Sequence, residues 1–245
     1  RRELYDNPLH PYAKRLLSAV PDPGKYGLKM NRETYATINN RNSFYEIRDD
    51  GEVYYIKFPS LEGCYEDREG RFYTQAWCEK HQKDCLENYD LNMQYFARLD
   101  RERFEKEIQR FLKRHRGFAE VGDLKEYTGQ AGYYLMVLDE YKQIYIGTSK
   151  NIRKRIQAHW TGRRPFDRLL FPIGAVQTSG ISIDSFRALD TTRLYAWKTH
   201  KIYEKEDKLI RKFSREFVCN RIGGGKLDAV TGGLYALATR NKREL

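Results

Sequence analysis

The sequence predicts an α/β protein: a small antiparallel or mixed sheet flanked by helices, preceded by a region containing a β-hairpin and a long helix. Three observations carry this. Tyr133–Leu138 and Ile144–Gly147 are β-rich runs separated by the loop Asp139-Glu140-Tyr141-Lys142. Patterns with helical periodicity stand before and after them. The 19 Tyr, 12 Phe and 3 Trp beside 32% charged residues indicate packed order, because disordered chains are poor in aromatics.

A chain of 245 residues can hold one large domain or two small ones. Its formal charge of +11 favours a polyanionic partner, either nucleic acid or an anionic membrane surface. No run approaches the ~20 apolar residues that cross a bilayer, and no apolar signal-peptide core opens the chain. Membrane insertion is therefore not expected. Four cysteines in this length do not suggest a disulfide scaffold, so a reducing, cytoplasmic location is expected. The opening on Arg1-Arg2, without methionine, suggests a piece of a longer product.

Along the chain, residues 1–25 place Leu16 to Val20 between the pairs Pro8/Pro11 and Pro21/Pro23, which predicts a short helix framed by proline turns. The words NPLHPYAKRLLSAVPDP resemble the C-terminal tail of the ATPase subunits of oligopeptide ABC transporters. That resemblance implies either an ATPase core upstream or the remnant of a fusion. No G-x-x-x-x-G-K-[ST] phosphate loop occurs in the 245 residues.

Residues 26–120 form the next region, whose role the sequence does not reveal. Phe44–Phe58 alternates β-formers around Asp49-Asp50-Gly51, a hairpin pattern. A helical pattern runs from about Gln75 to His115, allowing one break. Its clearest stripe is Phe104, Ile108, Phe111 and Leu112, opposed by Arg103, Lys106, Arg110, Lys113 and Arg114. Gly117, Gly122 and Gly129 mark the passage into residues 121–245, with a boundary near 120.

In this last region Ser149 or Asn151 is expected to N-cap a helix reaching Trp160. Short β-rich pieces follow at Phe186–Leu189 and Arg193–Trp197, then a helix over Thr199–Phe213. The stripe of that helix is Ile202, Tyr203, Leu209, Ile210 and Phe213, with Glu206 in its middle and Glu204 and Asp207 pointing elsewhere. A carboxylate on an inward face is costly unless a metal ion or an arginine compensates it.

The residues that could do chemistry are few. Tyr134 and Tyr145 stand on adjacent strands, an arrangement that cross-strand packing alone also produces. Arg155 and His159 lie four apart on the following helix and so share a face. A guanidinium can make two charge-assisted hydrogen bonds to phosphate oxygens. Arg153 and Lys154 read as a solvated face.

Gly132-Tyr133-Tyr134, Tyr145-Ile146-Gly147, Arg155, His159, Glu206-Asp207-Lys208-Leu209-Ile210 and Asn220, taken in order, resemble the signature of the GIY-YIG nucleases. Tyr133 departs from the family's isoleucine, and the spacing to Asn220 is slightly long. The resemblance covers residues ~130–222. It implies a three-stranded antiparallel or mixed sheet flanked by helices, and hydrolysis of DNA phosphodiester bonds with Mg²⁺ (or Mn²⁺) held by Glu206. It also implies roles. Tyr134 serves as general base or orients water, its pKa lowered by Arg155 and Lys150. Tyr145 hydrogen-bonds near the scissile group, Arg155 stabilises the transition state, and His159 assists.

Two further signals were weighed. Cys64, Cys78, His81 and Cys85 carry zinc-ligand chemistry. In one unbroken helix, however, Cys78 and Cys85 stand ~10 Å apart along the axis. A Zn²⁺ site thus requires a helix break, and buried free cysteines are the alternative. The segment Lys150–Arg168, with Lys150, Arg153, Lys154, Arg163 and Arg164, reads beside a nuclease site as a contact for the DNA backbone, as does Asn220. The N-terminal part is expected to add DNA contacts or to form a homodimer. A catalytically silent DNA-binding module and a transporter fragment are the alternatives.

Overall fold

A computed structural model describes residues 29–37, 45–47, 53–55, 75–162, 164, 166–171 and 174–221. The proline-framed segment, Cys64, Arg163 and the glycines at 223–225 lie outside them. The elements are α1 (Arg32–Tyr35), β1 (Tyr45–Ile47), β2 (Val53–Tyr55), α2 (Gln75–Arg98), α3 (Arg101–Arg114), β3 (Ala119–Glu120), β4 (Gly132–Leu138), β5 (Gln143–Ser149), α4 (Ile152–Thr161), β6 (Arg193–Lys198) and α5 (Glu206–Ile210), with short 3₁₀ turns between them. The strands of the hairpin expected around Asp49-Asp50-Gly51 pair antiparallel, with Tyr45 opposite Tyr55 and Ile47 opposite Val53, while residues 48–52 lie outside the described ones.

The main sheet has four antiparallel strands in the order β3-β6-β4-β5, one more than the three expected. The added strand, β3, is only two residues long and too short for period-2 alternation to reveal it. β4 is central, and all seven of its residues are buried. Both of its faces are covered, so it reads as a continuous apolar run and not as an alternating one. On one face Tyr134, Met136 and Leu138 pack with Cys78, Cys85, Tyr89 and Phe96 of α2 and Ile152, Ile156 and Trp160 of α4. On the other, Tyr133, Leu135 and Val137 pack with Phe104, Ile108 and Phe111 of α3 and Leu209 and Ile210 of α5. The boundary expected near residue 120 falls between α3 and β3, and residues from both sides of it share each core layer.

Local chemistry explains the elements. Asp100 breaks the long helical pattern into two: its side chain accepts from Arg103 N at 2.9 Å and caps α3. Asn151, not Ser149, caps α4 by accepting from Lys154 N. The residues 29–37 are fastened by Met30 N, which donates to Asp190 Oδ2 at 3.0 Å. Asp190 also accepts from the Tyr141 hydroxyl and Arg187 N, a set of partners that compensates its burial.

Two expectations change. Phe186–Leu189 is not β-rich structure: 3₁₀ turns at Ile183–Ser185 and Ala188–Asp190 take its place. The helix expected over Thr199–Phe213 shrinks to Glu206–Ile210. The reason lies in Tyr133, whose hydroxyl donates to Lys201 O at 2.8 Å and accepts from Lys205 N at 3.1 Å. Those contacts hold the backbone in a loop, and Tyr203 turns left-handed within it, at φ 70° and 38% exposed. Leu209, Ile210 and Phe213 keep their inward places.

Gly147 is dictated by its neighbour, because a Cβ there would sit 2.3 Å from the Tyr134 hydroxyl oxygen. Gly147→Ala should therefore destabilise the fold by about 1–3 kcal/mol in chemical denaturation. Gly122→Ala, where a Cβ would meet nothing within 4 Å, should stay within about 0.5 kcal/mol of the parent.

Candidate active site

The site grows from strand pleat and helix pitch. Tyr134 pairs with Gly147, and Met136 with Tyr145, so Tyr134 and Tyr145 sit diagonally on one face of the sheet. Their ring centroids lie 6.2 Å apart. The glycine opposite Tyr134 leaves room for its ring to lie across β5. α4 then crosses this face and brings His159 down onto both rings, with centroids 5.9 Å from Tyr134 and 5.0 Å from Tyr145.

The hydrogen bonds form a line. The Tyr134 hydroxyl meets His159 Nε2 at 2.8 Å, and His159 Nδ1 meets Asp184 Oδ1 at 2.6 Å. Arg164 Nη1 stands 3.5 Å from the other carboxylate oxygen, Asp184 Oδ2. Arg155, exposed on α4, stands close enough for its positive charge to act on the Tyr134 hydroxyl. Tyr134, His159 and Asp184 thus lie in sequence under an arginine.

Burial sets the protonation of this line. Burial and the neighbouring Tyr145 hold the Tyr134 hydroxyl well above its ordinary pKa, and Arg155 only partly offsets them. Lowering by Arg155 and Lys150 was expected. Burial wins, and Lys150 is exposed just before the helix start. Burial likewise raises Tyr145, against Arg155. Burial lowers the His159 pKa below 6.5, and the Asp184 carboxylate restores only part of it. Burial works against the Asp184 charge, but the bond to His159 and the charges of His159, Arg164 and Arg155 prevail, and its pKa falls. At neutral pH this describes a carboxylate beside a neutral imidazole and two neutral phenols.

Glu206 opens α5 and is buried at 9% exposure. Its negative charge reaches Tyr133, Tyr134 and Tyr145 and raises the pKa of each. Tyr133, the departure from the resemblance, faces the opposite layer and takes no part in the line of bonds.

Other residues fall elsewhere. Asn220 is buried, and its amide is taken up by the backbone of β5: it donates to Ile146 O at 2.7 Å and accepts from Ile146 N at 3.1 Å. It secures the free edge of the sheet. Arg153 donates to Thr128 Oγ1 at 2.9 Å. Lys150 and Lys154 are exposed, whereas Arg164 is drawn toward Asp184.

The zinc set is corrected. α2 runs unbroken through Cys78, His81 and Cys85, so the required break is missing, and His81 Nε2 donates to Phe166 O at 2.7 Å while standing 3.4 Å from Cys85 Sγ. Cys78, Cys85 and Cys219 are all buried. Among the described residues, no group of three or more His, Cys, Asp and Glu could hold a metal ion.

Asp184 escaped sequence reasoning. The run Ser182-Ile183-Asp184 signals a turn, since Ser182 Oγ accepts from Asp184 N, but nothing in it says what the carboxylate touches.

Asn220→Ala should cost about 2 kcal/mol in thermal or chemical unfolding, because it strands a buried N–H and C=O of Ile146. No family model, curated protein or solved structure matches the chain.

Proposed function

We propose that the chain is an endonuclease of GIY-YIG type that hydrolyses DNA phosphodiester bonds. The observation that carries this is the 2.8 Å contact between the Tyr134 hydroxyl and His159 Nε2, within reach of the Arg155 charge. A phenol kept protonated by burial is a poor base by itself. Next to a neutral imidazole it becomes a relay, taking a proton from water as its own passes to Nε2.

The steps balance. The water oxygen bonds to phosphorus, and the bond from phosphorus to the 3′-oxygen breaks. The water's proton goes to Tyr134, the Tyr134 proton goes to His159, and solvent protonates the leaving oxygen. Tyr134 has no exposed surface, so its hydroxyl must be uncovered when substrate binds, while the exposed Arg155 meets the phosphate. There the guanidinium fork binds non-bridging oxygens and stabilises the charge that builds in the transition state. Tyr145, held neutral by burial, remains a hydrogen-bond donor beside the reacting group.

Glu206 would hold the divalent ion. A lone carboxylate fits Mg²⁺ or Mn²⁺, which keep several waters, and does not fit the three or four protein ligands of zinc. When bound, such an ion neutralises charge on the phosphate and on the leaving 3′-oxygen. Lys150, Arg153 and Lys154, at the start of α4, would track the DNA backbone.

Plasmid DNA with Mg²⁺ should be cut by the parent, spared in EDTA, and spared by Glu206→Ala and Arg155→Ala, each slower by roughly 10²-fold or more. Parental cutting by Glu206→Ala would remove the assigned metal ligand. Binding without cutting across several DNAs would point instead to a silent binding module.

The pH dependence follows from His159, which must be neutral to accept a proton. Its folded pKa is depressed, so kcat/KM should hold at neutral pH and fall only once the pH drops below the ordinary imidazole value of 6.5. Binding measured against salt should weaken with a negative log–log slope, and Lys154→Ala should make that slope shallower by about 1.

A further inference from the structure

We propose that Asp184 is a positioning residue of this site: it holds His159 in the tautomer that protonates Nδ1 and leaves Nε2 open to the Tyr134 proton. The inference rests on the nuclease reading for its catalytic meaning, but its structural content can be tested without DNA.

The geometry assigns the role. His159 is 1% exposed, and each ring nitrogen has one partner in line. A carboxylate only accepts, so Nδ1 must donate to Asp184 Oδ1 at 2.6 Å. Nε2 of the neutral ring is then an acceptor, and the Tyr134 hydroxyl at 2.8 Å must donate to it. When the proton arrives, the imidazolium lies against a carboxylate in a buried place, where the attraction is weakly screened. Asp184 keeps its own place by its turn. Ser182 Oγ accepts from its backbone N–H, and Arg164 attends its second oxygen. Its carboxylate is bound to His159, so it acts through that ring.

Charged and titratable groups face His159 from every side: Tyr134 from β4, Tyr145 from β5, Arg155 from its own helix, and Asp184 from the 3₁₀ turn with Arg164 behind it. Of these, Asp184 alone favours the charged imidazole. Burial and Arg155 oppose it.

Arg164 makes Asp184→Asn an informative variant. The guanidinium prefers the amide oxygen, which turns the amide NH₂ toward His159 Nδ1. That donor forces the proton onto Nε2, the tautomer that cannot accept from Tyr134. The cavity and shape stay nearly the same.

The first measurement needs no variant. Nitrogen NMR of His159 in the folded parent should show the proton on Nδ1, and a proton on Nε2 would overturn the proposal. In Asp184→Asn the signal should move to the Nε2–H tautomer. Plasmid cutting by this variant should fall by roughly 10²-fold or more. Its acid limb should shift to lower pH, because the one group that raises the His159 pKa is gone. A merely structural aspartate would slow cutting equally at all pH values and leave the limb in place, and that result sinks the positioning role. If the tautomer switches as described while the parent cuts no DNA, the role of Asp184 stands and the nuclease reading fails.

Discussion

The hydroxyl of Tyr134 must find a partner inside the packed fold, and much of the molecule is arranged around that need. Tyr134 sits on the central strand of a sheet covered on both faces, with no exposed surface. Its ring clears β5 only because position 147 is glycine. Its oxygen is satisfied only because α4 places His159 above it. An unpaired hydroxyl there would cost about 1–3 kcal/mol, so strand register, glycine and helix placement are tied to one contact.

That contact orders the chemistry as well. Burial holds both tyrosines neutral and lowers the His159 pKa, so the charges in the line are set apart: an anion at Asp184, a cation at Arg155, and neutral proton carriers between them. In a dry site, such separation lets a proton move without a free ion forming first. The other tyrosine of the pair, Tyr133, does different work on the opposite face. It ties down residues 201–205 and thereby fixes where α5 begins and where Glu206 stands.

Much of this was legible in the residues. The hairpin loop at 139–142, the stripe on α3 and the inward place of Glu206 all follow from period and turn chemistry, which act over a few residues. The failures share a cause. β3 is too short for a period, and the 3₁₀ turns at 183–190 carry apolar residues that imitate a strand. The helix over 199–213 has the right pattern, but a hydroxyl from a strand more than sixty residues away captures its first turn. Asn220 looked like a polar contact for DNA and instead completes the edge of β5.

The sequence by itself determined which residues could meet a phosphate and which faces of each element are apolar, because both depend on residue type and spacing alone. It determined that Tyr134, Tyr145, Arg155 and His159 belong to one compact unit. Only the tertiary structure decided what each polar group touches. Asp184 reaches His159, Asn220 reaches Ile146, and Tyr133 reaches Lys201 and Lys205. Those partners are chosen by burial, since a polar atom withdrawn from water bonds to whatever the packed fold sets beside it, however distant in the chain.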